Sequence, residues 1–405
     1  MRIRWMLLSG VTILGLGASS VAVAGPQASA NQDANRASAA KPRARQLGVP
    51  FEGQPGPLNA ITDVAGVEVG FTTLISGNGA LKVGAGPVRT GVTVVLPRGR
   101  QNIDPVYAGW FSLNGNGEMT GTTWIEEAGL LAGPLGITNT HSVGTVRDTM
   151  IAWDLKHGAT GDDWSLPVVA ETFDGFLNDI NGFHVRPEHV FSALEGARGG
   201  AVAEGNVGGG TGMVCYGFKG GTGTASRVLS KEMGGYTVGV LVQCNCGRRP
   251  QLVIAGVPVG KEIPDGTPYA QLDAPPGSEA QGDVGSIIIV VATDAPLLPH
   301  QLKRVARRAA MGLARTGSTS GNGSGDIFVA FSTANPGADK SPGPNTVQTV
   351  STDRISPLFT ATVEATEEAI VNAMVAAETM TGRDGHTVNA LPHDKLREVL
   401  KKYNR

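Results

Sequence analysis

The sequence is poor in charged residues and in cysteine, and both shortages exclude classes of protein. Only 17% of its 405 residues are charged and the formal net charge is -2, so no basic surface indicates a nucleic-acid partner. Three cysteines, Cys215, Cys244 and Cys246, are too few and too odd in number for a disulfide framework, and no cluster of histidines joins them in a zinc site. We interpret them as small buried hydrophobic side chains.

Several common catalytic motifs are also missing. There is no G-x-S-x-G nucleophile elbow, no G-x-x-x-x-G-K-[ST] phosphate loop and no H-E-x-x-H zinc helix. The glycine run at 208–212 is not part of a strand–loop–helix unit of the dinucleotide type, and no acidic residue follows at the required distance. The sequence therefore predicts neither a cofactor nor a metal, and no local motif supports a Ser–His–Asp triad.

Glycine, in contrast, is abundant, with 58 residues, and the hydrophobic fraction of 41% is sufficient for a packed core. The glycines therefore indicate tight turns and close approaches of the backbone. Short β-branched runs at 91–96, 236–243 and 286–292 predict strands that are covered on both faces. Helical periodicity appears at 299–313 and 356–380, so we predict an α/β or α+β fold with sheets buried between helices.

The N-terminus has the features of a secretory signal peptide. Two arginines precede an apolar stretch that ends at Ala24 with an A-x-A pattern, and a second such pattern gives an alternative end at Ala30. An uncleaved membrane anchor is the other interpretation, and the glycines within the stretch disfavour it. We predict a signal peptide at 1–24, a flexible leader at 25–46 and a single domain at 47–405, with export to the periplasm or the medium and no membrane attachment after cleavage.

The most unusual segment is the border between a glycine- and serine-rich loop and the apolar strand predicted at 327–331. At this border, the hydroxyl of Ser324 can attack the carbonyl of Gly323, and hydrolysis of the resulting ester would leave Ser324 as a new N-terminus. A terminal amine has an unperturbed pKa of about 7.7–8.0 and can act as the base for its own hydroxyl. The alternative is a glycine-rich hairpin loop without chemistry.

This junction resembles the processing site of the DmpA-like aminopeptidases, peptidase family S58. That family includes the L-aminopeptidase/D-Ala-esterase/amidase and the β-peptidyl aminopeptidases. The similar residues read Gly-Ser-Gly-Asp-Ile-Phe at 323–328 and Ala-Phe-Ser-Thr-Ala-Asn at 330–335. Further family-like segments extend from about Leu47 to the C-terminus, at 59–70, 114–121, 133–139, 171–179, 205–213, 256–260, 292–297 and 381–385.

The resemblance implies a self-processing serine aminopeptidase, cleaved between Gly323 and Ser324 into an α chain that ends at 323 and a β chain at 324–405. It implies a four-layer α-β-β-α sandwich of the DmpA and ornithine acetyltransferase type, similar to the N-terminal-nucleophile hydrolases, and a homo-oligomer of αβ units. The expected substrates are short peptides, amides or esters with an L-, D- or β-amino acid at the N-terminus.

Two other functions remain as alternatives. An acyltransferase of the ornithine acetyltransferase type uses threonine as its nucleophile, and Ser324 argues against it. A non-catalytic secreted binding protein would be expected to lose the Gly–Ser junction, which is present here.

The resemblance also implies a hydroxyl residue and a glutamate beside the nucleophile, with the spacing S-x-E. Two pairs on the predicted helix at 356–380 fit this spacing, Thr366 with Glu368 and Thr362 with Glu364. We prefer Thr366 and Glu368 because they adjoin the family-like run Glu-Glu-Ala-Ile at 367–370. Surface charges on a solvated helix are the alternative for either pair.

Three further residues complete the predicted site. An acyl-transfer site needs a donor at the developing oxyanion, and Asn245 at a strand end is the candidate, with a turn-forming role as the alternative. Glu204 is the predicted carboxylate for the substrate's amine, and Tyr216 a pocket wall or hydrogen-bonding group. Three other glutamates compete with Glu204: Glu118, Glu126 and Glu127.

Overall fold

The computed structural model describes residues 41–157, 164–268, 285–337 and 343–405. The predicted signal peptide and most of the predicted leader lie outside these residues. The strands are β1 (Glu68–Ser76), β2 (Val88–Leu96), β3 (Val106–Ser112), β4 (Leu130–Leu131), β5 (Leu135–Asn139), β6 (Val168–Thr172), β7 (Val214–Cys215), β8 (Phe218–Lys219), β9 (Gly221–Val228), β10 (Thr237–Asn245), β11 (Ser286–Thr293), β12 (Ile327–Ser332), β13 (Met380–Thr381) and β14 (Thr387–Val388). The helices are α1 (Thr122–Ala128), α2 (Val143–Lys156), α3 (Pro187–Glu195), α4 (Val259–Glu262), α5 (Pro299–Arg315), α6 (Ser356–Val375) and α7 (His393–Lys402). Among the described helices, none combines the length and the apolar character that crossing a bilayer requires.

Two sheets pack face to face in the centre of the molecule. The first has the strand order β1-β2-β5-β6, and the second has the order β4-β3-β12-β11-β10-β9. Helices α2 and α3 share a core with β2 on the outer side of the first sheet. Helices α5 and α6 cover the outer side of the second sheet. These four layers confirm the predicted α-β-β-α sandwich.

The central strands are buried on both faces, as their β-branched sequences predict. In β11, Ile288 and Val290 face the core between the two sheets. Their neighbours Ile287, Ile289 and Val291 face the core beneath α5 and α6. Because β11 and β12 are parallel, the chain must cross over between them, and α5 makes that crossover on the outer face. The start of β12 therefore lies beside the start of β11.

Helices α5 and α6 approach each other closely where they pack side by side. A Cβ atom on Gly312 of α5 would lie 2.5 Å from the Cβ of Thr366 on α6, so no larger residue fits there. Helix α6 begins at Ser356, where the predicted helix begins, but it ends at Val375 rather than continuing to Met380. Met380, the last residue of that prediction, pairs instead with Val388 of β14.

The folded chain begins earlier than the predicted boundary at Leu47. Residues 44–47 form a short 3-10 helix in which Ala44 is buried. The guanidinium of Arg45 lies 2.8 Å from the carboxylate of Glu368, which is fully buried. The prediction of a flexible leader is therefore wrong for residues 41–46. Arg43 and Arg45, whose charge suggested a solvated segment, pair with the buried carboxylates of Glu204 and Glu368.

The three cysteines lie together rather than apart. Cys215 on β7 is paired with Cys244 on β10 as a disulfide, and the buried sulfur of Cys246 lies 3.8 Å from each of the other two sulfurs. All three side chains are buried, as interpreted from the sequence. Two of them are joined in a disulfide, which the sequence did not predict, because the β7 strand packs against the end of β10.

Candidate active site

Ser324 is fully buried just before β12, in the unprocessed chain. Its hydroxyl donates a hydrogen bond to Oδ1 of Asp326 across 2.7 Å. Its backbone N–H donates to the carbonyl of Gly321 across 3.0 Å, which closes a tight turn immediately before the predicted cleavage point. The predicted nucleophile is thus held against one carboxylate, and its nitrogen is still an amide.

The glycine-rich loop at 114–121 holds the junction from the other side. Asn116 donates from Nδ2 to the carbonyl oxygen of Gly323 across 2.9 Å, and from its backbone N–H to the carbonyl of Ser324 across 3.2 Å. Asn114 accepts a hydrogen bond from the backbone N–H of Asp326 across 2.6 Å. A Cβ on Gly325 would lie 2.3 Å from the carbonyl oxygen of Asn116, so this approach requires glycine.

Asp326 is a functional candidate that the sequence analysis missed. It is fully buried, and its Oδ1 accepts both the hydroxyl of Ser324 and, across 3.1 Å, the backbone N–H of Ile287. Ser286, next to Ile287 at the start of β11, accepts the N–H of Gly325 across 3.1 Å. The only signal in the sequence was the position of this aspartate in the Gly-Ser-Gly-Asp motif.

Asn245 ends β10 and lies opposite Ser286 in the strand register, so it is close to the junction in the sheet. Its Oδ1 accepts the N–H of Val214 across 2.7 Å, and its Nδ2 donates to the carbonyl of Phe173 across 3.1 Å. In the unprocessed chain these bonds hold two loops together, and the side chain that donates to the Gly323 carbonyl is that of Asn116. The oxyanion role of Asn245 stays a prediction.

Tyr216 borders the loop that precedes the junction. It is fully buried and has a left-handed φ of 51°. Its hydroxyl lies 2.7 Å from Oγ1 of Thr316, the residue that follows α5. A Cβ on Gly247 would lie 2.1 Å from the Tyr216 ring, and Gly247 also has a positive φ of 74°, so this position requires glycine.

Glu204 is buried beneath the N-terminal segment in the unprocessed chain, and its role as the partner of the substrate's amine stays a prediction. It is only 5% exposed, because the N-terminal segment covers it: its carboxylate lies 2.7 Å from Nε of Arg43 and accepts the N–H of Thr224 across 2.9 Å. Burial raises the pKa of Glu204, against the opposing effects of Arg43 and that N–H. Thr224 pairs with Leu241, which is about 13 Å along the strand from Asn245.

Two other carboxylates lie next to the junction. Glu118 is exposed on the 114–121 loop, and its backbone N–H donates to Glu171 of β6 across 3.1 Å. A Cβ on Gly117 would lie 3.3 Å from Oε1 of Glu171 and 3.0 Å from the Cα of Gly325. Burial raises the pKa of Glu171, although hydrogen bonds from Thr140 and Glu118 oppose it. Glu118 is one of the competitors predicted from the sequence, whereas Glu171 was not predicted.

The other two competing glutamates have different surroundings. Glu126 is half exposed and paired with Lys303 on α5 at 2.6 Å, and it accepts a hydrogen bond from Trp110 across 3.0 Å. Glu127 is exposed at the end of α1. Neither residue contributes to the hydrogen bonds that hold Ser324.

The preferred supporting pair on α6 is fully buried, so its residues are not surface charges on a solvated helix. Oγ1 of Thr366 is buried and lacks a hydrogen-bond partner among the described residues. Glu368 lies 2.8 Å from each of Arg45 and Arg227 and accepts a hydrogen bond from Asn59 across 2.6 Å. Burial alone would raise the pKa of Glu368, but these three partners outweigh it and leave the pKa lowered.

The alternative pair lies one turn earlier. Thr362 donates its hydroxyl to the carbonyl of Leu358 across 2.7 Å, within the helix. Glu364 lies 3.5 Å from Arg227, and burial raises its pKa. Over the described ranges, no hydrogen bond joins Ser324 to either pair. The supporting role of Thr366 and Glu368 therefore stays a prediction.

Comparison with known proteins decides the family. The sequence model of peptidase family S58 matches residues 59–388, most of the chain. The chain belongs to peptidase family S58. The predicted membership is confirmed, and as a member of this family the chain is a serine aminopeptidase with a variant of the N-terminal-nucleophile hydrolase fold.

Individual S58 relatives extend over nearly the whole chain. The beta-peptidyl aminopeptidase BapA of Sphingosinicella microcystinivorans is 59% identical and the alignment covers 92% of this chain and 95% of the relative. The BapA of Sphingosinicella xenopeptidilytica is 52% identical, with 90% and 92% covered. The solved L-aminopeptidase D-Ala-esterase/amidase from Ochrobactrum anthropi, described as a prototype for the serine aminopeptidases, superposes with a TM-score of 0.82 and 50% identity over 90% of this chain and 99% of that one.

Proposed function

We propose that this S58 peptidase cleaves itself between Gly323 and Ser324 and that the processed enzyme releases N-terminal β-amino acids from short peptides and amides, accepting L- or D-residues less well. The observation that carries the proposal is the placement of the Ser324 hydroxyl and the Gly323 carbonyl, each fixed by one polar side chain. The similarity to two beta-peptidyl aminopeptidases supports the preference for β-amino acids.

In the processed enzyme, the new amine of Ser324 would take the proton of its own hydroxyl, which then attacks the substrate carbonyl. The acyl-enzyme that forms would be hydrolysed by water. Donors must stabilise the oxyanion in this step, and we propose Asn245 for that role because it lies opposite Ser286, which bonds to Gly325 at the junction. We propose Tyr216 as a wall or hydrogen-bonding group of the substrate pocket. We propose that Thr366 and Glu368 orient the nucleophile.

The substrate's ammonium needs a carboxylate partner in the site. Glu204 remains the candidate from the sequence, and it would require the Arg43 segment to withdraw. Glu171 needs no such movement, because its carboxylate already lies beside Gly117, which packs against Gly325. Glu118 is exposed on the same loop and is likewise not covered by the Arg43 segment. Replacing each glutamate by glutamine and comparing KM separates the three, since loss of the partner raises KM for substrates with a free amine.

Two further proposals concern the cell and the assembly. We propose that the chain is exported, on the strength of its N-terminal arginines, apolar stretch and A-x-A pattern. We also propose a homo-oligomer of αβ units, which rests on family resemblance. Size-exclusion chromatography with light scattering tests the second proposal, and N-terminal sequencing of the exported α chain tests the first.

The decisive experiment is Ser324→Ala, matched with Ser320→Ala in the same loop. The wild type and Ser320→Ala should each give two fragments on a denaturing gel, with the smaller fragment beginning at Ser324. Ser324→Ala should stay in one piece and show no hydrolysis of β-Ala, L-Ala or D-Ala p-nitroanilide, because it lacks the nucleophile. Cleavage of Ser324→Ala at the same bond, or activity from an uncleaved wild type, would contradict the proposal.

A further inference from the structure

We propose that Cys215, Cys244 and Cys246, in their reduced form, bind one soft, singly charged metal ion, and that Cu(I) is the ion that fits this site. The inference does not depend on self-processing or on the substrate of the enzyme. It makes the Cys215–Cys244 disulfide and the bound metal two alternative states of the same cluster.

The sulfur atoms of the cluster lie at the separations that a shared metal ion needs. All three lie within 4.8 Å of one another, and Sγ of Cys246 is 3.8 Å from each of the other two. A metal–thiolate bond is about 2.3 Å long, so three thiolates at equal angles around one ion lie about 4.0 Å apart. Two of the three separations therefore already suit a bound ion, and the third requires only that the Cys215–Cys244 bond be reduced.

Backbone hydrogen bonds on both sides of Cys215 hold this arrangement without help from the disulfide. The N–H of Val214 donates to Oδ1 of Asn245 across 2.7 Å. The N–H of Tyr216 donates to the carbonyl of Cys246, also across 2.7 Å. Strand β7 is thus fixed against the end of β10 by its main chain, and the reduced sulfurs would stay close together.

The number and the kind of the ligands select the metal. Thiolates are soft ligands, which favour Cu(I), zinc and iron–sulfur clusters over hard cations. Structural zinc is almost always four-coordinate, whereas within the described ranges no histidine, aspartate or glutamate joins these three sulfurs. The three cysteines are at most 1% exposed, so bulk water does not supply a fourth ligand. A three-coordinate thiolate site in apolar surroundings suits Cu(I).

The charge of the loaded cluster is partly offset by Arg249. Three thiolates around Cu(I) would leave two negative charges, and burying charge is costly unless an opposite charge is near. Arg249 is itself buried, and its Nε donates to the carbonyl of Tyr216 across 3.0 Å. Its guanidinium lies 3.3 Å from the ring centre of Phe218, the residue that pairs with Cys215 across the β7–β8 hairpin. A neighbouring cation favours the thiolate form of a cysteine.

Loading consists of a reduction followed by proton release. A phosphine reductant and one water molecule convert the disulfide into two thiols, and the phosphine becomes its oxide. Cu(I) then binds the three sulfurs while their protons pass to the solvent. The metal stays Cu(I), so this second step transfers no electron. A newly synthesised chain already carries three thiols and needs no reductant.

The test uses the full-length chain, made by cell-free translation under anaerobic, reducing conditions so that the cluster folds as thiols. Cu(I) is supplied alone and buffered by bathocuproine disulfonate, a chelator whose colour reports the copper that it holds. Cys246→Ala removes one ligand but leaves both cysteines of the disulfide in place. The matched control is Met150→Leu, which removes a buried sulfur from the separate core beneath α2. Air-oxidised wild type, which carries the disulfide, is the second control.

We expect the reduced wild type and Met150→Leu each to take up one Cu(I) per chain. Changing a residue that only supports a ligand costs about 10–100-fold in metal affinity, so losing a ligand in Cys246→Ala should cost at least about 100-fold. X-ray absorption of the loaded wild type should show three sulfur neighbours at about 2.3 Å. The oxidised wild type should bind copper no more tightly than Cys246→Ala, because two of its ligands are joined to each other.

Several results would overturn the inference. They are an absence of uptake by the reduced wild type, equal affinity in Cys246→Ala, equal affinity in the oxidised protein, and a spectrum with nitrogen or oxygen neighbours. Cys246→Ser separates a lost ligand from a packing defect, since its hydroxyl is close in size to the thiol but is not a soft ligand. Cu(I) should raise the melting temperature of the reduced wild type and of neither Cys246 variant. An equal rise in Cys246→Ser would contradict the proposed site.

Discussion

Two polar clusters of this molecule are built on opposite principles. The junction cluster (Asn114, Asn116, Ser286, Ser324 and Asp326) contains one carboxylate, no cation, and side chains that bond to the backbone around the predicted scissile peptide. The ion-pair cluster (Arg45, Asn59, Arg227, Glu364 and Glu368) balances two cations with two anions. The first arrangement can take up and return a proton, and the second stabilises charges that would otherwise be buried alone. Burial of polar groups by itself therefore does not distinguish catalytic from structural roles.

The largest effect that tests this comparison is expected from Glu368→Gln. This change leaves Arg227, whose side chain is 1% exposed, without its partner at 2.8 Å. Breaking a buried ion pair by removing one partner lowers the free energy of unfolding by about 3–5 kcal/mol. Denaturant unfolding measures it, with Glu367→Gln as control, because the pair of Glu367 with Arg315 is more exposed and is worth about 0–1 kcal/mol.

The outcome also separates the two roles of Glu368. A variant that unfolds readily but retains hydrolysis per folded molecule would assign the residue to the ion-pair cluster alone. A variant as stable as the wild type but inactive would show that Glu368 acts on the nucleophile. Glu368 would then be a functional residue and not only a member of a structural ion pair.

Much of the fold follows from local patterns, whereas the polar clusters do not. The β-branched runs predicted β10, β11 and the core of β2, and the helical period predicted α5 and most of α6, because burial on one or two faces leaves a repeat in the local sequence. Ser324 was predicted as the nucleophile from its motif, and that role stays a prediction. The contact between Asn116 and Gly323 joins residues 207 positions apart, and that between Arg45 and Glu368 joins residues 323 apart. Such contacts leave no periodicity in the local sequence, because the tertiary fold brings together residues that are far apart in the chain.

A second, smaller effect is expected from Thr366→Val. The Thr366 hydroxyl is buried without a partner among the described residues, and replacing such a group by a methyl of similar shape should leave stability unchanged or raise it by about 1 kcal/mol. If Thr366 supports the nucleophile of the mature enzyme, the same variant loses activity, and Thr366→Ser regains it. Thermal unfolding and kcat, measured on the same preparations, check both parts. A loss of stability together with retained activity would place Thr366 with the structural residues.

The smallest effect concerns the pH dependence of the two glutamates that share Arg227. Burial raises the pKa of Glu364, with Arg227 opposing, whereas the partners of Glu368 lower its pKa in spite of burial. The ordinary value for both is 4.5. A raised pKa means that the folded chain binds the proton more tightly, so the stability of the wild type relative to Glu364→Gln should increase as pH falls from the folded pKa towards 4.5.

Glu368 should show the opposite sign. Its lowered pKa means that its contribution is fully present above pH 4.5 and is lost as pH falls through the folded pKa, so the stability of the wild type relative to Glu368→Gln should decrease below 4.5. Denaturant unfolding between pH 3 and pH 7 measures both differences, and at neutral pH we expect Glu364→Gln to change stability by about 1 kcal/mol or less. Slopes of the same sign would mean that Arg45, Arg227 and Asn59 do not outweigh the effect of burial on Glu368.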